Sequence, residues 1–270
     1  PVLISIRCTN FKDDKNWWIK TVIICGLIVI FNVISIIVKG IQNKSNRFLN
    51  MTYKCYVEQR SINERSAKNI FRLNKLINQY IQDNNPINKR VFDKIADFQT
   101  YSFSICESIH KILTQEYGND IKCEVTLMKK NGNIIKMLAY SNNDNMQPSS
   151  YTRNFNFDDL DIHFVELFKD LNGKPSCLPN KKIVCEKFKK LTGSEKREEG
   201  ICQYIGIPIK TNRNEVELLL QIDVSKEKIF GSNEKQMELF TDNVLYPYAV
   251  LLHKAYERDL VFTQYYDMII

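Results

Sequence analysis

The first pattern along the chain is an uninterrupted apolar segment near its N-terminus. Residues 21–38 (TVIICGLIVIFNVISIIV) carry no charged side chain, and their few polar members, Thr, Asn and Ser, can be satisfied within a helix. Together with the two tryptophans ahead of it, the segment approaches the roughly 20 residues that span a hydrocarbon core. We therefore predict a transmembrane helix over residues 17–39.

The residues that flank this segment suit the two membrane interfaces. Indole rings and long basic side chains gather at the level of the lipid head groups. The predicted interface residues are Trp17, Trp18, Lys20, Lys39, Lys44 and Arg47. A buried core helix and a cleaved signal peptide are the alternative interpretations; the uncharged surface disfavours the first, and the exit sequence IIVKGI disfavours the second.

The charge balance after the segment gives the predicted orientation. Residues 39–75 hold nine Lys or Arg against Glu58 and Glu64, an excess of 9 − 2 = +7 that equals the formal net charge of the whole chain. The one apolar segment predicts a single-pass protein of the cell membrane. Positive-inside counting puts its bulk in the cytoplasm and leaves residues 1–16 as a short extracytoplasmic tail. We expect the basic flank to contact anionic lipid head groups. Nucleic acid is the disfavoured alternative, because no basic patch interleaved with aromatic residues recurs further along.

Helical periodicity follows the apolar segment. Residues 58–82 lack Gly and Pro and carry one apolar stripe, which predicts a helix within a basic connector over residues 40–85. The members of this stripe are Ile70, Leu73, Ile77 and Tyr80. The sequence NNP at 84–86 ends this helix and begins a second one over residues 87–117, whose apolar positions step by 4 and 3. We expect the second stripe to pack on a sheet. A homodimer that forms through the helices 58–82 and 87–117 remains an alternative.

From Ile121 onward the apolar period changes from about 3.6 to 2, which indicates strands. The first predicted hairpin turns at Asn131-Gly132 into a strand over 134–140, and a polar stretch over 141–156 follows. Next come a short helix carrying Phe164 to Leu171, a short strand over 183–185 and a helical turn over 188–191. A second hairpin has strands over 205–209 and 218–224, and a final helix runs from Ser232 or Asn233 to Val261 with a kink at Pro247. This order predicts an α/β (α+β) domain over residues 86–262, with an antiparallel sheet flanked by helices and a C-terminal tail over 263–270.

The second hairpin and the final helix carry a family pattern. The stretch GICQYIGIPIKTNRNEVELLLQIDVSKEKIFGSNEKQMELF contains a strand ending at Pro208-Ile209, a turn, an apolar strand ending at Asp223 and an acidic-capped helix after Phe230. On these residues the segment from about 88 to 260 resembles a GAF domain, a small-molecule sensing module. The resemblance implies a ligand held between the sheet and the crossover helices. The residues that it implies for ligand binding, by position, are Tyr140, Phe164, Phe168, Cys202, Tyr204 and Asp223.

The chain departs from the specialised branches of that family. The Asn-Lys-x-x-Phe-Asp-Glu set of the cyclic-nucleotide branch has no counterpart here, and none of the eight cysteines lies in a recognisable bilin-attachment context. The resemblance therefore leaves the cofactor unknown, with a nucleotide or another small molecule as the open ligand.

The sequence lacks the motifs of common catalytic and metal sites. It has no Cys-x-x-Cys, no glycine-rich phosphate loop, no Gly-x-Ser-x-Gly, and no two of its three histidines four residues apart. Acidic residues at 158, 159 and 161 suit a helix start better than a cation, and Cys177 with Cys185 form a weak candidate redox pair. We therefore expect neither enzyme activity nor a bound metal.

These features together predict a membrane-anchored cytoplasmic sensory protein of GAF-like fold. Binding of a small ligand or a partner would alter helix packing along the connector and so transduce a signal. Two alternatives stay open: a nucleotide-gated membrane effector that perturbs the bilayer, and a membrane adaptor that binds no ligand. Toxicity that disappears on deletion of residues 17–39 would identify the effector.

Overall fold

A computed structural model describes residues 17–83, 97–118, 120–148, 150–159, 162–188 and 200–269. The chain divides into two compact units, Pro1–Asn50 and Met51–Ile270. The elements in chain order are α1 (Trp17–Asp83), α2 (Phe98–Tyr117), β1 (Cys123–Asn131), β2 (Ile134–Asn142), β3 (Asn154–Asn156), α3 (His163–Lys169), β4 (Ser176–Leu178), α4 (Lys181–Lys187), β5 (Gln203–Lys210), β6 (Val216–Val224), α5 (Glu234–Phe240), a π-helical segment (Thr241–Leu245) and α6 (Tyr246–Ile269).

The apolar part of α1 is exposed in the first unit. The helix contains an 18-residue window with a mean hydropathy of 2.7, none of it buried, so α1 is long and apolar enough to cross a membrane. Within it the Asn32 side chain donates from Nδ2 to the Ile28 carbonyl at 2.9 Å, which satisfies the amide inside the helix. Lys39 and Arg47 are exposed. The side chains of four predicted interface residues, Trp17, Trp18, Lys20 and Lys44, lie outside the described part of the chain.

In the second unit, α1 packs with α2 and α6. The buried side chains of α1 are Met51, Cys55, Ile62 and Leu73. The hydroxyls of Ser108 on α2 and Tyr248 on α6 lie 3.0 Å apart. Arg258 of α6 donates from Nη1 to the Ser66 hydroxyl of α1 at 2.6 Å. The part of α1 from Met51 onward therefore belongs to the helical layer of the second unit.

Within the described residues, helix α2 begins at Phe98 and lies against the sheet. Asp97 is its N-cap and accepts a hydrogen bond from the backbone N–H three residues on at 2.9 Å. Its buried apolar stripe includes Ile105, Ile109 and Ile112, and α2 contacts β1 and β2, which confirms sheet packing. Ion pairs Lys54–Glu116 and, at 3.7 Å, Lys111–Glu58 join α1 to α2. The predicted helix start at 86–96 lies outside the described residues.

The six strands form one antiparallel sheet in the order β3-β2-β1-β6-β5-β4. The first hairpin turns at Gly132, whose φ of +60° is a conformation that glycine adopts without strain. Asn131 and Ile134 are the last paired residues beside this turn. The second predicted hairpin, β5–β6, is also confirmed. An antiparallel sheet flanked by helices is thus the observed fold.

The opposite face of the sheet is covered by the short helices α3 and α4. Adjacent residues of a strand point to opposite faces, and Tyr204 of β5 faces this side. A buried cluster fills the space between the sheet and these helices. Its large members include Met128, Phe155, Phe164, Leu167, Phe168, Val184, Tyr204 and Leu219.

One local prediction is wrong, two short strands were missed, and one predicted turn lies mostly outside the described residues. Ile183 to Cys185, predicted as a strand, belong to α4, because Asn180 caps that helix by accepting a hydrogen bond from the Ile183 N–H at 3.0 Å. Strands β3 and β4 were not predicted. Of the predicted helical turn over 188–191, Phe188 is the C-cap of α4, and the other residues lie outside the described part.

The final helix is interrupted near its predicted kink. It begins after the N-cap Asn233, as expected, and passes through the π-helical segment immediately before Pro247. Proline has no N–H to donate, and the Tyr246 N–H bonds to the Thr241 carbonyl five residues back. The helix continues to Ile269, past the predicted end at Val261 and through most of the predicted tail.

Candidate functional site

The structure brings four of the six residues predicted for ligand binding to one cluster and leaves the other two outside it. Phe164, Phe168 and Tyr204 are buried in the cluster between the sheet and α3. Tyr140 is half-buried, with its ring edge-on to those of Phe103 and Tyr151. The other two lie elsewhere: Cys202 is half-exposed just before β5, and Asp223 lines a cavity at the end of the sheet. The predicted pocket is therefore filled with side chains where Phe164, Phe168 and Tyr204 meet.

A buried chain of hydrogen bonds crosses the sheet beneath that cluster. The Tyr204 hydroxyl donates to Gln221 Oε1 at 2.9 Å, and Gln221 Nε2 donates to Thr126 Oγ1 at 3.3 Å. Burial, followed by the charge of Asp223, raises the pKa of Tyr204 well above its usual value, so the phenol stays protonated and donates. Gly206 gives room for this ring, because a Cβ there would lie 2.6 Å from the Tyr204 hydroxyl.

A histidine is buried at the edge of the same cluster. His163 Nε2 lies 3.0 Å from the Ser176 hydroxyl, and its ring centroid lies 5.7 Å from those of both Tyr204 and Phe188. Burial lowers the pKa of His163, while Glu166, whose Oε2 is 3.6 Å from Nδ1, acts in the opposite direction. The imidazole of His163 is thus kept in its uncharged form, as a packed core residue.

An open cavity lies where β1 begins and where β2 and β6 end. We call it the sheet-end pocket; it measures about 370 Å³ and is lined by Lys122, Cys123, Glu124, Asn142, Asn143, Asp144, Gly200, Ile201, Asp223 and Ser225. Its size is within the range of small-molecule sites. Cross-strand register brings three of its side chains into one row, since Asn142 pairs with Glu124 and Glu124 pairs with Asp223. The row continues to Tyr204, which pairs with Asp223.

Among the residues that line the sheet-end pocket, the three acids Glu124, Asp144 and Asp223 outnumber the one base, Lys122. Asn142 Nδ2 donates to the Met146 carbonyl at 2.8 Å, while its Oδ1 is buried and accepts no hydrogen bond from the described residues. Burial, with the nearby charges of Asp223 and Glu124, raises the pKa of the Cys123 thiol well above its usual value. The Cys123 thiol therefore stays protonated and unreactive, and it lines the pocket without taking part in chemistry. Within the described part of the chain, no group of three His, Cys, Asp or Glu residues could hold a metal ion.

Asn143 ties the pocket to the helical layer. Its Oδ1 accepts from the Cys123 N–H at 2.7 Å, and its Nδ2 donates to the Ile121 carbonyl at 2.8 Å. On its other side His110 of α2 lies 3.4 Å away, from Nε2 to the same Oδ1. The neighbouring Lys111 forms the ion pair with Glu58 of α1. Polar contacts thus join the pocket wall to α2 at His110 and join α2 to α1 at the next residue, Lys111.

Of the six residues predicted by position, Asp223 alone lines this pocket. Glu124 alternates with apolar neighbours in β1, a pattern that is typical of a solvent-facing position. Asn142 lies in the stretch 141–156, which its composition marked as a turn. The one local signal was the polar run Asn142-Asn143-Asp144 at the end of a strand, where binding residues often lie.

Comparison with known proteins shows similarity of structure alone. No family model and no curated protein matches the sequence. Among solved structures, the chain is similar to an A. aeolicus nlh2 GAF domain in an inactive state, with 19% identity, a TM-score of 0.40, and coverage of 64% of this chain and 95% of that one. It is similar to residues 122 to 287 of a methyl-accepting chemotaxis protein, with 12% identity, a TM-score of 0.45, and coverage of 64% and 95%.

An enzyme also occurs among the similar structures. A type II free methionine-R-sulfoxide reductase from Thermoplasma acidophilum aligns at 13% identity with a TM-score of 0.40, covering 60% of this chain and 95% of that one. The structural neighbours thus include both GAF domains and a reductase. Likeness at this level carries no information on ligand or reaction, so the functional proposal depends on the residues of the chain itself.

Proposed function

We propose that the chain is a membrane-anchored sensory protein whose second unit binds a small polar ligand in the sheet-end pocket. The observation that carries the proposal is the double role of α1. The same helix contains the exposed apolar segment and contributes Met51, Cys55, Ile62 and Leu73 to the core of the second unit. Because protein interiors are close-packed, a rearrangement of that core acts directly on α1.

The route from ligand to helix follows the contacts of Asn143. A ligand that bonds to the pocket wall competes for, or reinforces, the hydrogen bonds that Asn143 makes to Ile121 and Cys123. A shift of Asn143 changes its contact with His110, and α2 in turn is joined to α1 by the ion pairs of Lys111 and Glu116. Two alternative packings of α2 on α1 would form the bistable element that such signalling needs.

Native mass spectrometry of the full chain, released from detergent micelles, tests ligand binding. We expect a co-purified small molecule on the wild type, weaker retention in Asp223→Asn, and unchanged retention in the matched control Asp159→Asn, whose exposed carboxylate lies outside the pocket. The same spectra report the number of copies, which tests the homodimer through α1 and α2. A bare mass, with no thermal shift from a panel of nucleotides, would contradict the proposal.

Membrane attachment has a separate test. We expect the chain to stay in the membrane pellet after carbonate extraction and to become extractable when residues 17–39 are deleted. A C-terminal tag should resist protease in intact cells and be cleaved after lysis, because positive-inside counting puts the bulk of the chain in the cytoplasm. Cleavage in intact cells would reverse the proposed orientation.

A membrane adaptor that binds no ligand is the second candidate. The packing of Phe164, Phe168 and Tyr204 favours it, since these side chains fill the space in which the GAF resemblance implies a ligand. The two functions differ in the sheet-end pocket: Asp223→Asn should leave an adaptor unaffected and should impair a sensor.

A further inference from the structure

Helix α1 carries a second feature, on the surface of the Met51–Ile270 unit. Four basic residues, Arg65, Lys68, Arg72 and Lys75, follow one another at spacings of three, four and three and are all exposed. Residues at these spacings lie on one side of a helix. We call this set the basic stripe. It does not coincide with the packed face of α1, which is marked on the same turns by the buried residues Ile62 and Leu73.

The basic stripe keeps its charge. Nearer the start of this unit, Lys54 pairs with Glu116 and Arg60 with Glu64. Among the described residues, no carboxylate forms an ion pair with any member of the stripe. The next stretch of sequence does not compensate, because residues 84–96 add three Lys or Arg against one Asp. The stripe is therefore a persistent positive surface.

The basic stripe lies far along the chain from the apolar segment. Arg65 follows the end of the apolar segment at Val38 by 65 − 38 = 27 residues. Basic residues influence the orientation of a span chiefly when they lie within about 15–20 residues of its ends. Lys39 and Arg47 meet that condition and the stripe does not. The +7 charge of residues 39–75 thus divides between a part beside the span and a part in the second unit.

The chemistry around the stripe indicates the class of partner. Its neighbours Asn69, Asn74 and Asn78 are polar, and beside them lies one large apolar residue, Phe71, which is 74% exposed. The cores of protein–protein interfaces are depleted in charge, whereas nucleic-acid interfaces are polar and strongly positive. Aromatic rings beside a line of cations are the arrangement that holds single strands, through base stacking and phosphate contacts.

We propose that the basic stripe binds single-stranded nucleic acid, with its four cations on successive phosphates and Phe71 stacked on a base. This binding is independent of the sheet-end pocket and of the proposed sensory function. The sequence pattern favoured lipid for the whole basic flank. The folded chain adds that these four cations belong to the second unit and have an exposed aromatic ring beside them.

Fluorescence anisotropy on the full chain in zwitterionic nanodiscs tests the proposal. The probes are labelled single strands of RNA and of DNA of about 16 nucleotides. With four phosphate contacts, the logarithm of affinity should fall against the logarithm of salt with a slope of about −2.8, so that raising salt from about 50 to about 200 mM weakens binding about 50-fold. Stronger binding of one probe decides between RNA and DNA.

Variants separate charge from stacking. Neutralising Arg72→Gln should lower the salt slope by about 0.7, and neutralising all four cations should abolish binding. Phe71→Ala should weaken binding about fivefold or more and leave the slope unchanged, because stacking releases no counterions. The matched control Lys182→Gln removes an exposed lysine on α4 and should have no effect.

Three outcomes would overturn the proposal. The first is oligonucleotide binding that survives neutralisation of the stripe. The second is tighter binding of polyglutamate than of either strand, which would assign the surface to an acidic polypeptide. The third is stripe-dependent binding to phosphatidylserine vesicles without binding to oligonucleotides, which would assign it to lipid.

Discussion

Removing one oxygen atom from the centre of the sheet tests the hydrogen-bond chain Tyr204–Gln221–Thr126. Tyr204 is only 1% exposed, and its hydroxyl donates to Gln221 Oε1 at 2.9 Å. In Tyr204→Phe the ring still fills its site, but Gln221 Oε1 loses its donor. Because Gln221 is itself buried, water cannot readily replace the phenol.

The expected cost follows from that geometry. Leaving a buried acceptor unsatisfied costs about 1–3 kcal/mol. The second unit spans 270 − 51 + 1 = 220 residues. In a unit of this size each kcal/mol shifts Tm by about 2–4 °C, so a cost of about 2 kcal/mol lowers Tm by about 4–8 °C.

Near-UV circular dichroism of the full chain in detergent is the assay, because it follows the packed aromatic side chains. Tyr140→Phe is the matched control: Tyr140 is half-buried, and among the described residues its hydroxyl makes no hydrogen bond. We expect that control to change the free energy of unfolding by less than about 0.5 kcal/mol.

A double mutant isolates the bond itself. In a Gln221→Leu background the Tyr204 hydroxyl has already lost its acceptor, so Tyr204→Phe should cost about 1 kcal/mol less than in the wild type. An equal cost in both backgrounds, or a cost no larger than that of Tyr140→Phe, would refute the reasoning.

Three further predictions concern packing, pH and thiol reactivity. Gly206→Ala should lower the free energy of unfolding in urea by about 1–3 kcal/mol, because the new Cβ would lie 2.6 Å from the Tyr204 hydroxyl; an unchanged midpoint would contradict this. Since burial lowers the pKa of His163, the unfolded chain takes up the proton first, and stability should fall as pH drops below about 6.5. His163→Gln should flatten that decline, and an equal decline would assign it to other groups. Iodoacetamide should modify the exposed Cys185 in the native chain before Cys106, whose pKa is raised by complete burial, as intact mass after partial alkylation would show.

Where the sequence predicted the fold correctly, the signal was local. Alternating apolar residues on both sides of Asn131-Gly132 specify a hairpin, because turn chemistry and strand period act over neighbouring residues. The same holds for the capped start of the final helix at Asn233. The failed strand over 183–185 shows the limit. Its three apolar or thiol side chains fit either period, and the cap at Asn180, with burial of Val184, decided for a helix.

The apolar segment, the basic flank and the helical and strand periods are properties that the sequence determines by itself, since each depends on residues close together in the chain. Only the tertiary structure decided which polar residues meet. Asn142, Glu124 and Asp223 come from three strands, and their shared row depends on cross-strand register. Register also places Tyr204 under α3, where packing fills the pocket that position alone had suggested. Long-range pairing of this kind leaves no local trace, because a shift of one residue would turn every side chain to the other face.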